Sequence, residues 1–180
     1  MYEKDGKYYD KFRNRVIFPI INTAGKVIGF GGRALSDQQM PKYLNSPENR
    51  VFQKKNNLYA LNITRQDIGK AGMAIVVEGY MDVISLHQSG VTNVCASLGT
   101  ALTENQAKLV NRYTKNVVLS YDADAAGQKA ALRGIDVLKG ENCKVKVLHV
   151  TDGKDPDEYV KKNGKEAFMK LIANALSYTD

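Results

Sequence analysis

From Met73 onward, short apolar runs alternate with longer amphipathic ones. MAIVV (73–77), TNVCAS (92–97), NVVLSY (116–121) and KVKVLHV (144–150) are compact, Val-rich segments of the kind that form buried strands. YMDVISLHQSG, TENQAKLVNRY and AAGQKAALRGIDVLKG lie between them and repeat apolar residues at helical spacing. Gly90 reads as the stop of the first of these helices, and Thr103 with Gln106 three residues on forms a capping box at the start of the second. DPDEYVKKNG and KEAFMKLIANAL predict two closing helices. Strands separated by helices of this length predict a parallel, right-handed α/β sheet.

The first 70 residues follow a different pattern. RVIFPIIN and KVIGFGG, separated by Thr23-Ala24-Gly25, predict a β-hairpin, and Pro19 places its first strand at an edge or a bulge. Residues 1–12 are polar, tyrosine-rich and expected to be only partly ordered. Residues 33–57, with Pro41 and Pro47, read as loop, and NNLYALNITRQDIGKAG reads as a helix with Gly69 and Gly72 as stop signals. The change of pattern divides the chain into a small mixed α+β part, residues 1–70, and an α/β part, residues 71–180.

Charge sharpens that division. The net charge is +7; residues 1–70 carry thirteen Lys/Arg against six Asp/Glu, and residues 71–180 carry thirteen of each. A basic front half suits polyphosphate or nucleic acid. Cys95 and Cys143 stand apart in strand-like runs, without the Cys/His spacing of a zinc site, and read as buried thiols in a reducing cytoplasm. No apolar stretch approaches the roughly 20 residues that span a bilayer, and MYEKDGKYYDKF lacks a signal-peptide core.

Carboxylates gather where the predicted strands end. Glu78 follows MAIVV, Asp122 and Asp124 follow NVVLSY, and Asp155 and Asp157 follow the fourth strand. A parallel sheet collects functional groups at its carboxyl edge, so these segments converge on one pocket. Acids packed together repel unless a cation separates them, and all-oxygen ligands favour Mg²⁺ or Mn²⁺ over zinc. Each acid also has a structural reading. Asp82, four residues after Glu78, complements a helix dipole. Asp124 caps the helix starting at Ala125, and Asp155-Pro156-Asp157-Glu158 is a complete capping signature. Gly127 and the neighbouring alanines leave room for a bulky ligand. GFGGR lacks the following helix of a phosphate loop, and His87 and His149 sit in helical or apolar contexts unsuited to a His-based nucleophile. The aromatic residues among the first 60 positions read mostly as core.

VVEGYMDVISL, LSYDADAAG and DGKDPDEY in this order resemble the Toprim domain of primases, topoisomerases and some nucleases. FRNRVIFPI, GKVIGFGGR, PKYLNSPE and FQKKNNLYAL resemble the amino-terminal subdomain of the RNA polymerase core of bacterial DnaG-type primases. The resemblance implies a Toprim-type parallel sheet flanked by helices, preceded by a small basic subdomain. It implies a DNA-dependent RNA polymerase that makes short RNA primers on single-stranded DNA by two-metal nucleotidyl transfer. Glu78, Asp122 and Asp124 would then be catalytic and hold two or more divalent ions, Mg²⁺ or Mn²⁺, with Asp82, Asp155 and Asp157 completing the acidic site. Arg33, Lys42 and Lys54 would contact nucleotide or nucleic-acid phosphates, Asn45 in the same motif would have a positioning role in that binding, and Arg13 and Arg15 would touch the template. The implied partners are template, ribonucleoside triphosphates, RNA primer and a replicative helicase, the last through a domain outside this chain. The chain is expected to be monomeric, without a structural zinc, and an excised part of a longer protein. Where the family often has Gly, this chain has Ala60. The rival readings are a Toprim strand-cleaving enzyme and a non-catalytic nucleic-acid-binding piece.

Overall fold

In the computed structural model, residues 2–122, 124–150 and 152–178 are described. The chain folds as two compact units, residues 1–52 and 53–180. The first opens with a hairpin of β1 (Tyr2–Lys4) and β2 (Lys7–Tyr9), where sequence reading found no element. Its turn is Asp5-Gly6, both at positive φ (52° and 69°), the conformation that an Asp-Gly pair supplies in a two-residue hairpin. The next hairpin is the expected one, β3 (Arg15–Ile21) against β4 (Val27–Ala34), joined by a short third strand, β5 (Tyr43–Asn45), in a region read as loop. In the order β3-β4-β5, β3 is an edge strand and its register shifts between Ile20 and Ile21. Both features suit Pro19, which has no N–H to offer a second neighbour.

GFGG therefore lies inside β4 and is not a loop. Its glycines serve packing: a Cβ on Gly29 would lie 3.1 Å from the Phe52 ring, and one on Gly32 would lie 2.7 Å from the Phe12 ring. Phe52 and Ile20 are fully buried and anchor this unit.

The second unit begins with a 3₁₀ turn, Lys54–Asn56, and helix α1 (Leu61–Ala71), closed by Gly72 in the left-handed conformation. Ala60, at the N-cap of α1, is itself left-handed (φ 65°). That backbone favours glycine, so the alanine here carries a local conformational cost. Four parallel strands follow, β6 (Ala74–Val77), β7 (Val94–Ala96), β8 (Asn116–Leu119) and β9 (Lys144–Val147). They alternate with α2 (Tyr80–Gln88), α3 (Glu104–Asn111), α4 (Ala125–Gly140) and α5 (Pro156–Ala173). Gly164 (φ 79°, ψ 176°) breaks α5, as the two predicted closing helices require. A fifth strand, β10 (Leu176–Ser177), unforeseen in the sequence, adds antiparallel to β9 and gives the order β10-β9-β8-β6-β7.

Both faces of this sheet are covered. Val76, Leu119, Val145 and Val147 pack with Leu61, Ile68, Val110 and Leu138 of α1, α3 and α4. Ile75, Val77 and Val118 pack with Val83, Leu86, Phe168 and Ile172 of α2 and α5. Strands buried on both faces read as continuous apolar runs, which is why the sequence signals them so clearly. Cys95 and Cys143 are buried free thiols. Among the described residues no helix is long and apolar enough to cross a membrane.

The strand order places the functional edge. The connection from β6 runs to β7 on one side, and that from β8 runs to β9 on the other. The crevice between the carboxyl ends of β6 and β8 is therefore a topological switch point, where open α/β sheets bind ligands.

Candidate functional site

Glu78 and Asp122 leave the sheet on either side of that crevice. The Asp122 N–H donates to Glu78 Oε1 (3.1 Å), so one hydrogen bond ties the ends of β6 and β8 together. Glu78 precedes α2 and does not share a helical turn with Asp82. Asp82 is the third residue of α2 and accepts the Gly79 N–H through Oδ2 (3.2 Å). Its carboxyl also accepts the Asp157 N–H from the first turn of α5. Asp124 caps α4 by accepting the Gly127 N–H (2.7 Å), and Asp155 caps α5 by accepting the Glu158 N–H (2.8 Å). The capping readings of these residues thus hold. The amino ends of α2, α4 and α5 all meet the carboxyl edge, and their dipoles offset part of the acids' repulsion.

Five of the six acids share one electrostatic field. Burial, then the charges of Asp155 and Asp122, push the Asp82 carboxyl up to about 7. Burial, then Glu78, Asp155 and Asp124, push Asp122 up to about 6. Glu78 is raised by burial and by Asp124, against the lowering effect of the Asp122 N–H. The sixth, Asp157, turns its carboxylate elsewhere, accepting from Ser85 Oγ and pairing with Lys161 (2.6 Å).

Among the described residues no three His, Cys, Asp or Glu side chains close on a single point. The set is nonetheless all hard oxygen, with its repulsion only partly offset, and its donor chemistry fits a divalent cation such as Mg²⁺ or Mn²⁺.

Gly127 has a different role from the one its size suggested. A Cβ there would lie 2.2 Å from the Asp122 carbonyl oxygen and 2.9 Å from Glu78 Oε1. The space is taken by the site's own backbone, which α4 approaches closely because residue 127 has no side chain.

The predicted basic residues fall in both units. In the first, Arg33 faces Tyr43 across the β4–β5 ladder, with its guanidinium 5.9 Å from the ring centre. Lys42 Nζ lies at the same distance from that ring, and Arg15 donates to the Lys42 carbonyl (3.3 Å). Arg13 sits over Tyr9 (5.9 Å), and Asn45 ends β5. Tyr43, which sequence reading did not single out, is thus the ring about which Arg33 and Lys42 gather. Its signal was present in PKYLNSPE, directly after Lys42. Lys54 belongs to the second unit, in the 3₁₀ turn.

The family described as DNA primase catalytic core, N-terminal domain, matches residues 1–65, and one described as Toprim-like matches residues 75–160. The DNA primase of Clostridium acetobutylicum is 59% identical over 179 residues, which are 99% of this chain and 30% of that protein. The chain belongs to the DnaG-type primase catalytic core family. The crystal structure of the Aquifex aeolicus primase zinc-binding and RNA polymerase domains superimposes with a TM-score of 0.91 at 44% identity, over 98% of this chain and 44% of that one. A DnaG primase catalytic domain bound to single-stranded DNA gives a TM-score of 0.90 at 42% identity, over 98% of this chain and 58% of that one. The chain spans about 30% of the length of the curated relatives it matches.

In this primase core the acidic cluster makes stability depend on pH. The Asp82 carboxyl is raised to about 7 in the folded state, against about 3.9 in an unfolded chain. Stability from its protonation is present below the unfolded value and is lost as pH rises through about 7. Asp122 acts in the same direction. In a chelator, the protein is expected to be more stable near pH 5 than near pH 8, by roughly 2–4 kcal/mol from Asp82. Thermal melts at the two pH values check this. A difference that is no smaller in Asp82→Asn removes Asp82 as its source.

Proposed function

We propose that this chain is the catalytic part of a primase that joins ribonucleotides into short RNA primers on single-stranded DNA, by two-metal nucleotidyl transfer. The observation that carries the reading is the Asp122–Glu78 bond across the switch point, with three further acids sharing its field. In this reading Glu78, Asp122 and Asp124 are the catalytic carboxylates, Asp82 and Asp155 complete the acidic site, and Asp157, held by Ser85 and Lys161, lies beside it. Bound Mg²⁺ or Mn²⁺ supplies neutralisation of phosphate charge, activation of the attacking 3′ hydroxyl and stabilisation of pyrophosphate.

The chain's own part is to hold and orient. Glu78 and Asp122, already tethered to each other, present carboxylates from two strand ends at a fixed separation. Asp124 and Asp155 are held in place by their caps. Arg33, Lys42 and Lys54 bind triphosphate and nucleic-acid phosphates, with Asn45 positioning them; Arg13 and Arg15 bind the template. Residues 1–70 act as the basic subdomain and 71–180 as the Toprim domain. The protein works as a monomer in a reducing cytoplasm, consistent with its two free buried thiols. A replicative helicase is a further partner in this reading.

The test is binding of a fluorescent ribonucleoside triphosphate, titrated with and without Mn²⁺. Affinity that appears only with the metal is the expected result. Equal binding in chelator, or none at all, overturns the reading for this chain.

A further inference from the structure

The start of the second unit is fastened at one place. The 3₁₀ turn Lys54–Asn56 lies against the amino end of α3, in the same unit as the acidic cluster. Gln106 is fully buried and uses its whole amide. Its Nε2 donates to the carbonyls of Lys54 and Asn57, both at 2.9 Å, and its Oε1 accepts the Thr103 N–H (3.0 Å). Thr103 Oγ1 donates to the Lys55 carbonyl (2.7 Å) while accepting the Gln106 N–H (3.3 Å). Asn105 Nδ2 donates to Asn56 Oδ1 (2.7 Å). Just beyond the turn, Tyr59 and Ala96 exchange both backbone hydrogen bonds at the end of β7.

A capping box needs only the two reciprocal bonds between Thr103 and Gln106. Here the same pair makes three more, all to carbonyls of one turn distant in sequence. The two bonds from Gln106 are partly buried, so removing its amide costs more than a surface bond would. The turn is thus held at the carboxyl edge of the sheet, where β7 ends and α3 begins, the edge that also carries Glu78, Asp122 and Asp155. Its first residue is Lys54.

We infer that Gln106, with Thr103, is a positioning residue for nucleotide binding: it sets the place of Lys54 at the carboxyl edge and so the register of the triphosphate. This rests on the reading of Lys54 as a phosphate contact. Gln106→Met keeps the side-chain length but loses both donors to the turn. It is expected to weaken metal-dependent triphosphate binding about tenfold, the usual scale for losing buried hydrogen bonds. The loss should vanish in a Lys54→Ala background, because an absent lysine cannot be misplaced. Hydrogen exchange should show lost protection of the Asn56 and Asn57 amides, whose bonds close the turn.

The experiment separates two failures. Unchanged affinity in Lys54→Ala overturns the reading of Lys54 on which the inference stands. Weakened binding in Lys54→Ala, with Gln106→Met unchanged or simply additive to it, overturns the inference alone. Should Gln106→Met not fold, Asn105→Ala at the exposed start of α3 removes the outer bond. It is expected to weaken binding about two- to threefold, again only when Lys54 is present; an equal loss without Lys54 overturns the inference.

Discussion

Gly127→Ala is expected to lower stability by at least about 2 kcal/mol and to abolish metal-dependent triphosphate binding. An alanine inside a helix ordinarily gains about 1 kcal/mol over glycine. At position 127 that gain is outweighed, because the new Cβ would stand 2.2 Å from the Asp122 carbonyl oxygen. A backbone carbonyl cannot swing aside as a flexible side chain can. Either α4 withdraws from the edge of the sheet or the end of β8 shifts. Both moves pull on the Asp122–Glu78 bond and take Asp124, the cap of α4, with them. Gly69→Ala, on the exposed side of α1 with nothing within 4 Å of the added carbon, is the control. It is expected to raise stability by about 0.5–1 kcal/mol. Urea denaturation of the two variants measures the contrast. A stabilised Gly127→Ala protein would show that α4 has slack at its amino end.

The second large effect separates the two roles of Asp124. Its Oδ1 accepts the Gly127 N–H, so Asp124→Ala removes a helix cap worth about 1 kcal/mol. Asparagine caps a helix as well as aspartate, so Asp124→Asn should keep the stability. Both variants should lose divalent-dependent triphosphate binding by about 100-fold or more, since changes even in groups behind a metal's ligands cost 10–100-fold. Asp122→Asn is expected to behave differently. It removes a carboxylate whose charge is disfavoured by burial and then by Glu78, Asp155 and Asp124, so the metal-free protein should gain stability near neutral pH while losing the metal. Calorimetry with Mn²⁺ and thermal melts in chelator read the two properties separately. Intact Mn²⁺ binding in both Asp124→Asn and Asp122→Asn would remove these residues from the site.

Much of the second unit was legible because its order is local or two-sided. MAIVV and NVVLSY are buried on both faces, so their apolar runs are uninterrupted. Thr103 with Gln106, Asp124 before Ala125, and Asp155-Pro156 are start signals whose partners lie within four residues. The hairpin of the first ten residues was legible too and was missed, since Asp5-Gly6 is a turn pair that the polar surroundings disguised. Strands β5 and β10 were not legible in the same way. Each is two or three residues long and exists only because a neighbouring strand offers its free edge.

The sequence by itself determined the kinds of group at the site, their attachment to strand ends and the hard-oxygen chemistry they offer, because these depend on residue type and spacing along one segment. Tertiary structure decided which carboxylates share a field. Asp155 raises Asp82 from 73 positions away, whereas Asp157, two residues further on, turns to Ser85 and Lys161. It also decided that Gly127 is an approach point for backbone and not a space for ligand, and that Gln106 fastens a turn some fifty residues earlier. Those outcomes depend on distances between segments that only the packed sheet brings together, and no period or cap along the chain encodes them.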